Sequence, residues 1–257
     1  MAAEQGAVSE DAVLGGALIL RQPKRGHRVG HDAILLAAAV AGRAGEHAVE
    51  LGAGVGAAGL ALARRVNGLT VTLVEIDPAL TALAHENAAT NGLSDRVRTV
   101  CLDVAAPHAA FAAAGLKPAS ADRVLMNPPF NAAQNPSPER GRRLARTGAQ
   151  DTLTRWIGAA ARLLRPRGVV TLIWRADGLD AMLAALTAEH SFGGVTLLPV
   201  HSKPEAPAIR VLASAVKGSH APLVLLPGLL LADAKGHPTP TAEAVLRFGA
   251  TLPLAEN

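Results

Sequence analysis

The chain has 257 residues, 49% of them hydrophobic, and a formal net charge of +4. That is enough for one large α/β domain with a sizeable core, but with aromatics at 2% and no Tyr the core must be packed from Ala, Val and Leu. The single cysteine, Cys101, excludes an internal disulfide and a zinc site of several thiolates.

Cys101 is expected to be a buried small hydrophobe. The positive charge fits an anionic partner without demanding one. The start of the chain, to about Asp11, is polar and acidic and lacks the basic-then-apolar order of a signal peptide. Residues 1–12 are expected to be disordered, and 13–257 to form one domain with a hairpin and helix extension over about 13–45. The longest apolar runs, at 33–41 and 223–231, are too short to span a bilayer, so a cytoplasmic, membrane-free protein is expected.

In chain order, residues 17–21 and 26–29 read as short strands around the turn Pro23-Lys24-Arg25-Gly26. Asp32 is placed to cap a helix over 33–41, ended by Gly42. Strand and helix patterns then alternate. Strands are predicted at 47–51, 70–76, 97–102, 123–127 and 168–174; helices at 57–66, 78–90, 152–164 and 179–190. Pro78 suits a first helical position, with Asp77 as its cap. Such alternation with apolar strands predicts a parallel sheet covered by helices on both faces. Strands at 194–201 and 208–215 close the sheet. The run 223–231 reads as a strand or hairpin, and 241–248 as a terminal helix. Pro and Ser gather over 131–138, a surface loop.

Glu50-Leu51-Gly52-Ala53-Gly54 falls where the first strand of the alternation turns into a helix. Its glycines permit a tight turn with no side chain to obstruct a ligand, and the helix start presents free N–H groups. About 20 residues on, at the end of the next strand, Glu75 can accept two hydrogen bonds from a ribose diol. Gly52-x-Gly54-x-x-Ala57 also satisfies the dinucleotide fingerprint, so a nicotinamide or flavin enzyme stays open on these residues alone.

Asn127-Pro128-Pro129-Phe130 separates the two readings. It follows an apolar strand and so lies at the carboxyl end of the sheet, where open α/β sheets bind ligands. The prolines stiffen the backbone and leave their carbonyls free to accept. Asn127 adds an amide oxygen. Two close acceptors suit an –NH₂ group, and Phe130 offers a flat face to a planar one. A conjugated amino nitrogen is a poor nucleophile; accepting both of its hydrogens draws it towards tetrahedral geometry, and alignment supplies much of the remaining rate gain. A nicotinamide-dependent dehydrogenase, the less favoured alternative, leaves Asn-Pro-Pro-Phe unexplained.

The combination resembles the class I S-adenosylmethionine-dependent methyltransferases that carry Asn-Pro-Pro-(Tyr/Phe). Glu50, Gly52, Ala53 and Gly54 look like their cofactor loop and Glu75 like their ribose-binding acid. Asp103, with Val104 after it, looks like the acid that receives the adenine amino group, and Asn127 to Phe130 look like the catalytic loop. The resemblance implies a Rossmann-like, seven-stranded, mostly parallel sheet with the last strand antiparallel. The segment Arg28-Val29-Gly30-His31-Asp32-Ala33-Ile34-Leu35-Leu36 is similar to one in the family that includes the tRNA1(Val) adenine N6-methyltransferases. The segments Lys203–Arg210, Ala215–Ser219 and Pro240–Glu243 are similar too. His31 replaces the usual Thr, and Phe130 the commoner Tyr, which removes a phenolic donor but keeps a stacking face.

The resemblance implies N6 methylation of an adenine in tRNA or another RNA. The same chemistry on a protein glutamine or a small molecule stays open, as does a non-catalytic nucleotide- or RNA-binding module. Arg25 and Arg28 in the N-terminal turn, and Arg140 and Arg143 after the catalytic loop, are candidate phosphate contacts; a solvated charged face is the alternative. The histidines lack ligand spacing, and no metal is expected.

Overall fold

The computed structural model describes residues 8–25, 28–129, 140–187 and 192–255, with the backbone alone for 140–150. Strands β1 (Val8–Val13) and β2 (Leu18–Pro23) form an antiparallel hairpin. Helix α1 (His31–Ala39) follows, then β3 (His47–Leu51), α2 (Ala57–Arg65), β4 (Thr70–Glu75), α3 (Pro78–Thr90), β5 (Val97–Cys101), α4 (His108–Ala113) and β6 (Ala121–Met126). The second half contains α5 (Arg140–Leu163), β7 (Leu164–Arg175), α6 (Leu179–Thr187), β8 (Phe192–His201) and β9 (Ala208–Lys217). The two-residue strands β10 (Val224–Leu225) and β11 (Leu229–Leu230) precede α7 (Pro240–Phe248).

The seven long strands of the main sheet run in the order β5-β4-β3-β6-β7-β9-β8, with β10 and β11 added on the outer edge of β8. All neighbours from β5 to β7 are parallel; β9 is antiparallel to both β7 and β8. Strand residues alternate between two apolar clusters, as a period of two dictates. Ala48, Leu125 and Ile173 join α1, α2, α3 and α7 on one face. Val49, Leu51, Met126 and Leu172 join α4, α5 and α6 on the other. The Rossmann-like sandwich expected from the sequence is therefore present. Among the described residues, no helix is long and apolar enough to cross a membrane.

Local chemistry explains the helix starts. Asp77 accepts N–H bonds from Ala79 (2.7 Å) and Leu80 (3.2 Å) ahead of Pro78, as the sequence predicts. Asp32 does not cap α1. That helix starts at His31 behind Gly30, and the Asp32 carboxylate instead pairs with Arg210 of β9 at 2.9 Å. In the first turn it still complements the helix dipole.

The N-terminal expectations need the largest correction. Residues 8–12, expected to be disordered, lie in β1, and the hairpin turn lies over Leu14–Ala17, not at Pro23–Gly26. Gly15 and Gly16 take φ of +63° and +92° there, and Leu18 and Leu20 of β2 are fully buried. No strand forms at 28–29; the Val29 N–H donates instead to the Gln22 side chain at 2.8 Å. The ribbon is fastened to α3 by two buried asparagines four residues apart. Asn87 accepts the Arg21 N–H at 2.7 Å and donates to the Arg21 carbonyl at 3.0 Å. Asn91 does the same for Ile19, at 2.9 and 2.7 Å. Elsewhere α4 was not anticipated, α5 begins at 140 and not 152, and 223–231 yields two short strands that each pair with β8 rather than with one another. Cys101 is exposed, not buried, because it ends β5 with its side chain near the Ile76 carbonyl.

Candidate active site

Register brings the sequence-predicted residues to one edge. Leu51 pairs with Val74 and with Met126, so the next residues, Gly52, Glu75 and Asn127, lie side by side at the carboxyl ends of β3, β4 and β6. Glu75 in turn pairs with Cys101, which places Asp103 just beyond β5.

The turn after β3 is held by hydrogen bonds to β4. The Ala53 N–H donates to the Val74 carbonyl at 2.9 Å, and the Gly54 N–H to Glu75 Oε2 at 2.8 Å. The other carboxylate oxygen, Oε1, accepts the Asp77 N–H at 3.0 Å. Gly52 sits at φ +69°, and a Cβ there would fall 2.8 Å from Cζ3 of Trp156. Only glycine meets both demands.

Glu50 is buried, 5% exposed, and its Oε2 accepts the Gly59 N–H in the first turn of α2 at 2.7 Å. It fastens that helix to β3 from within the core. Burial pushes its carboxyl up to about 8; the Gly59 bond works against this and the charge of Glu75 adds to it. Ala53 and Val104 are buried too, so what they can offer a ligand is backbone. Asp103 is exposed, its Oδ1 accepting the Ala105 N–H at 2.8 Å.

Asn127 lies one residue past β6. Among the described residues its Oδ1 is the buried side-chain oxygen or nitrogen that lacks a hydrogen-bond partner. Such an atom costs roughly 1–3 kcal/mol if left unpaired. Pro128 is buried and Pro129 exposed. Phe130 lies outside the described residues, as do the side chains of Arg140 and Arg143. Arg25 is exposed at the end of the hairpin, but Arg28 is tied to both oxygens of Asp11, at 2.8 and 2.9 Å. A cavity of about 210 Å³ lined by Ile34, Ala38, Ala61, Arg65 and Val245 lies at the far end of α2 and takes no part in this site.

Two residues near the site escaped the sequence reading. Ile76, 60% exposed next to Glu75, offers an apolar surface at the strand end; its β-branched side chain made it look like the last residue of a buried strand. Trp156 is the other, and nothing in its sequence neighbourhood points to Gly52.

Residues 27–198 match the family model of the methyltransferase small domain. The chain belongs to the methyltransferase small-domain family. Over 165 residues the chain is 33% identical to the tRNA1(Val) (adenine(37)-N6)-methyltransferase of Porphyromonas gingivalis; the match covers 62% of this chain and 64% of that relative, a little under two thirds of its length. The protein of the same name from Phocaeicola vulgatus is 29% identical over 191 residues, 72% of this chain and 75% of that one. A crystal structure described as a predicted O-methyltransferase from Agrobacterium tumefaciens superposes with a TM-score of 0.73 at 28% identity, covering 86% of this chain and 98% of that one.

As a member of a methyltransferase family the chain takes S-adenosylmethionine as its cofactor, and the residues fit it. Each Glu75 oxygen accepts one N–H, which leaves a lone pair on each that could accept a further hydrogen bond, as a ribose diol would supply. Exposed Ile76 and Asp103 stand on the β5 side, where an adenine with an exocyclic amino group would lie.

Proposed function

We propose that this protein methylates the N6 amino group of an adenine in tRNA. The observation that carries the reading is the unpaired, buried Asn127 Oδ1 beside the glycine turn. It awaits a donor, and an –NH₂ group supplies one hydrogen to it and a second to the Pro128 carbonyl. When bound, S-adenosylmethionine supplies an activated methyl group. Asn127 and Pro128 would hold the amino nitrogen facing that methyl group, whose departure from sulfur leaves a neutral thioether, and the proton that the nitrogen loses would pass to solvent. Phe130 would stack on the base. The names of the relatives from Porphyromonas and Phocaeicola support the tRNA adenine. Exposed Lys24 and Arg25 supply cations for phosphates.

The test is mass spectrometry of nucleosides from tRNA incubated with the protein and cofactor. N6-methyladenosine is expected with the wild type. With Asn127→Ala it falls to background while cofactor binding persists. Undiminished methylation by that variant refutes the role of Asn127. A second reading, methylation of a glutamine carboxamide, rests on the same pair of acceptors and on the scarcity of aromatic side chains for base stacking. Labelled cofactor offered to separate RNA and protein fractions distinguishes the two.

A further inference from the structure

The glycine turn is held on two sides by different means. On the β4 side it is hydrogen-bonded, through Val74 and Glu75. On the other side it meets the indole of Trp156: a Cβ on Gly52 would lie 2.8 Å from Cζ3 and 3.3 Å from Cζ2, so ring and backbone are in direct contact. Trp156 comes from α5, the helix that follows the Asn127 loop in the chain. Its neighbours Leu153, Ile157 and Ala160 are fully buried and anchor α5 against the sheet, whereas Trp156 itself is only half-buried. A ring has been placed here in a chain with six aromatic residues in all, two of them Trp.

The strand order gives the contact a purpose. With the ribose on Glu75 and the adenine towards β5, the amino-acid end of the cofactor must run the other way, across β3 towards β6. That path crosses Gly52. We propose that Trp156 is a positioning residue for S-adenosylmethionine: its ring fixes the Gly52 turn in the shape that receives the amino-acid end of the cofactor. The inference rests on the reading of Glu75 as the ribose acceptor. Trp156 acts through Gly52; without the ring, α5 and Gly52 lose their contact, and the turn keeps its bonds to β4 and, at Val55, to Asn87 of α3.

The test uses the full chain and S-adenosylmethionine as the probe, without a methyl acceptor. Calorimetric titration of Trp156→Ala is expected to show affinity at least tenfold weaker than the wild type, and Trp156→Phe, which restores a flat ring, to recover most of it. Tryptophan emission supplies a readout that a merely structural role would not move. The cofactor is expected to change emission in the wild type and in Trp174→Phe, where Trp156 is the remaining indole, and to leave Trp156→Phe unchanged. Unaltered affinity in a folded Trp156→Ala protein, or an emission change that survives in Trp156→Phe, overturns the inference and leaves the cofactor site standing. Should Trp156→Ala fail to fold, the emission of the Phe variants decides. No binding by the wild type overturns the reading of the Glu75 site, and the role of Trp156 with it.

Discussion

Replacing Glu50 by Gln should change how stability depends on pH. Gln keeps an oxygen for the Gly59 N–H, 2.7 Å away, and nearly the same volume, but it cannot ionise. In the wild type the carboxyl titrates at about 8, raised by burial, against an ordinary value of 4.5. Between those values the folded state holds a proton that the unfolded chain has released, so stability falls as pH rises. The contribution is complete below about pH 4.5 and lost as pH passes through about 8. Each tenfold in proton affinity is about 1.4 kcal/mol, so the wild type loses up to roughly 5 kcal/mol across this range from Glu50 alone. For a chain of this size that is a fall in Tm on the order of 10 °C. The assay is thermal unfolding of both proteins without cofactor, at intervals from about pH 4 to 9. The difference between them isolates Glu50, because every other group is shared. Glu50→Gln should gain on the wild type steadily as pH rises. Curves that stay parallel across the range would refute the reasoning.

Glu75→Gln should weaken S-adenosylmethionine binding at least tenfold, about 1.4 kcal/mol, because one of the N–H groups of Gly54 and Asp77 would then face an NH₂; calorimetric titration measures it, and an unchanged Kd removes Glu75 from the ribose site. Asn87→Ala should destabilise the protein by about 3 kcal/mol, since it strips partners from the N–H and carbonyl of Arg21 and from the Val55 carbonyl. Urea unfolding gives the magnitude, and amide exchange at Arg21 should quicken more than in the central strands.

The parallel half of the sheet was legible because β3, β4 and β6 are apolar runs, and β3 and β4 each lead into a helix marked by its own local sequence. Asp77-Pro78 fixes α3 to the residue, and Gly52 to Gly56 bound β3 and α2. The hairpin was misread because its ordering force is tertiary. β1 carries few apolar residues, and β2 is fixed by Asn87 and Asn91 from 66 to 72 positions away, a bond no local pattern announces. Pro23 looked like the turn, while Gly15 and Gly16 supplied it. In the site, Glu75 and Asn127 could be read from spacing, since strand ends in a parallel sheet line up. Trp156 could not, because its meeting with Gly52 depends on how α5 crosses the sheet. The resemblance places Glu50 in the cofactor loop, and its carboxyl lies inside the core, bonded to Gly59 of α2; an acid two residues before a glycine gives no sign of which way it points.

The run Ala221–Leu231 reads as a hazard on paper, an apolar stretch next to the outermost long strand, with Leu223, Val224 and Leu225 exposed. Pro222 and Pro227, together with Gly228, divide it into pairings of two residues each. A proline has no N–H to offer a passing chain, so the border presents fragments too brief to template further growth. An apolar segment thus covers the outer flank of β8 while leaving no long run of free N–H groups for another strand to pair with.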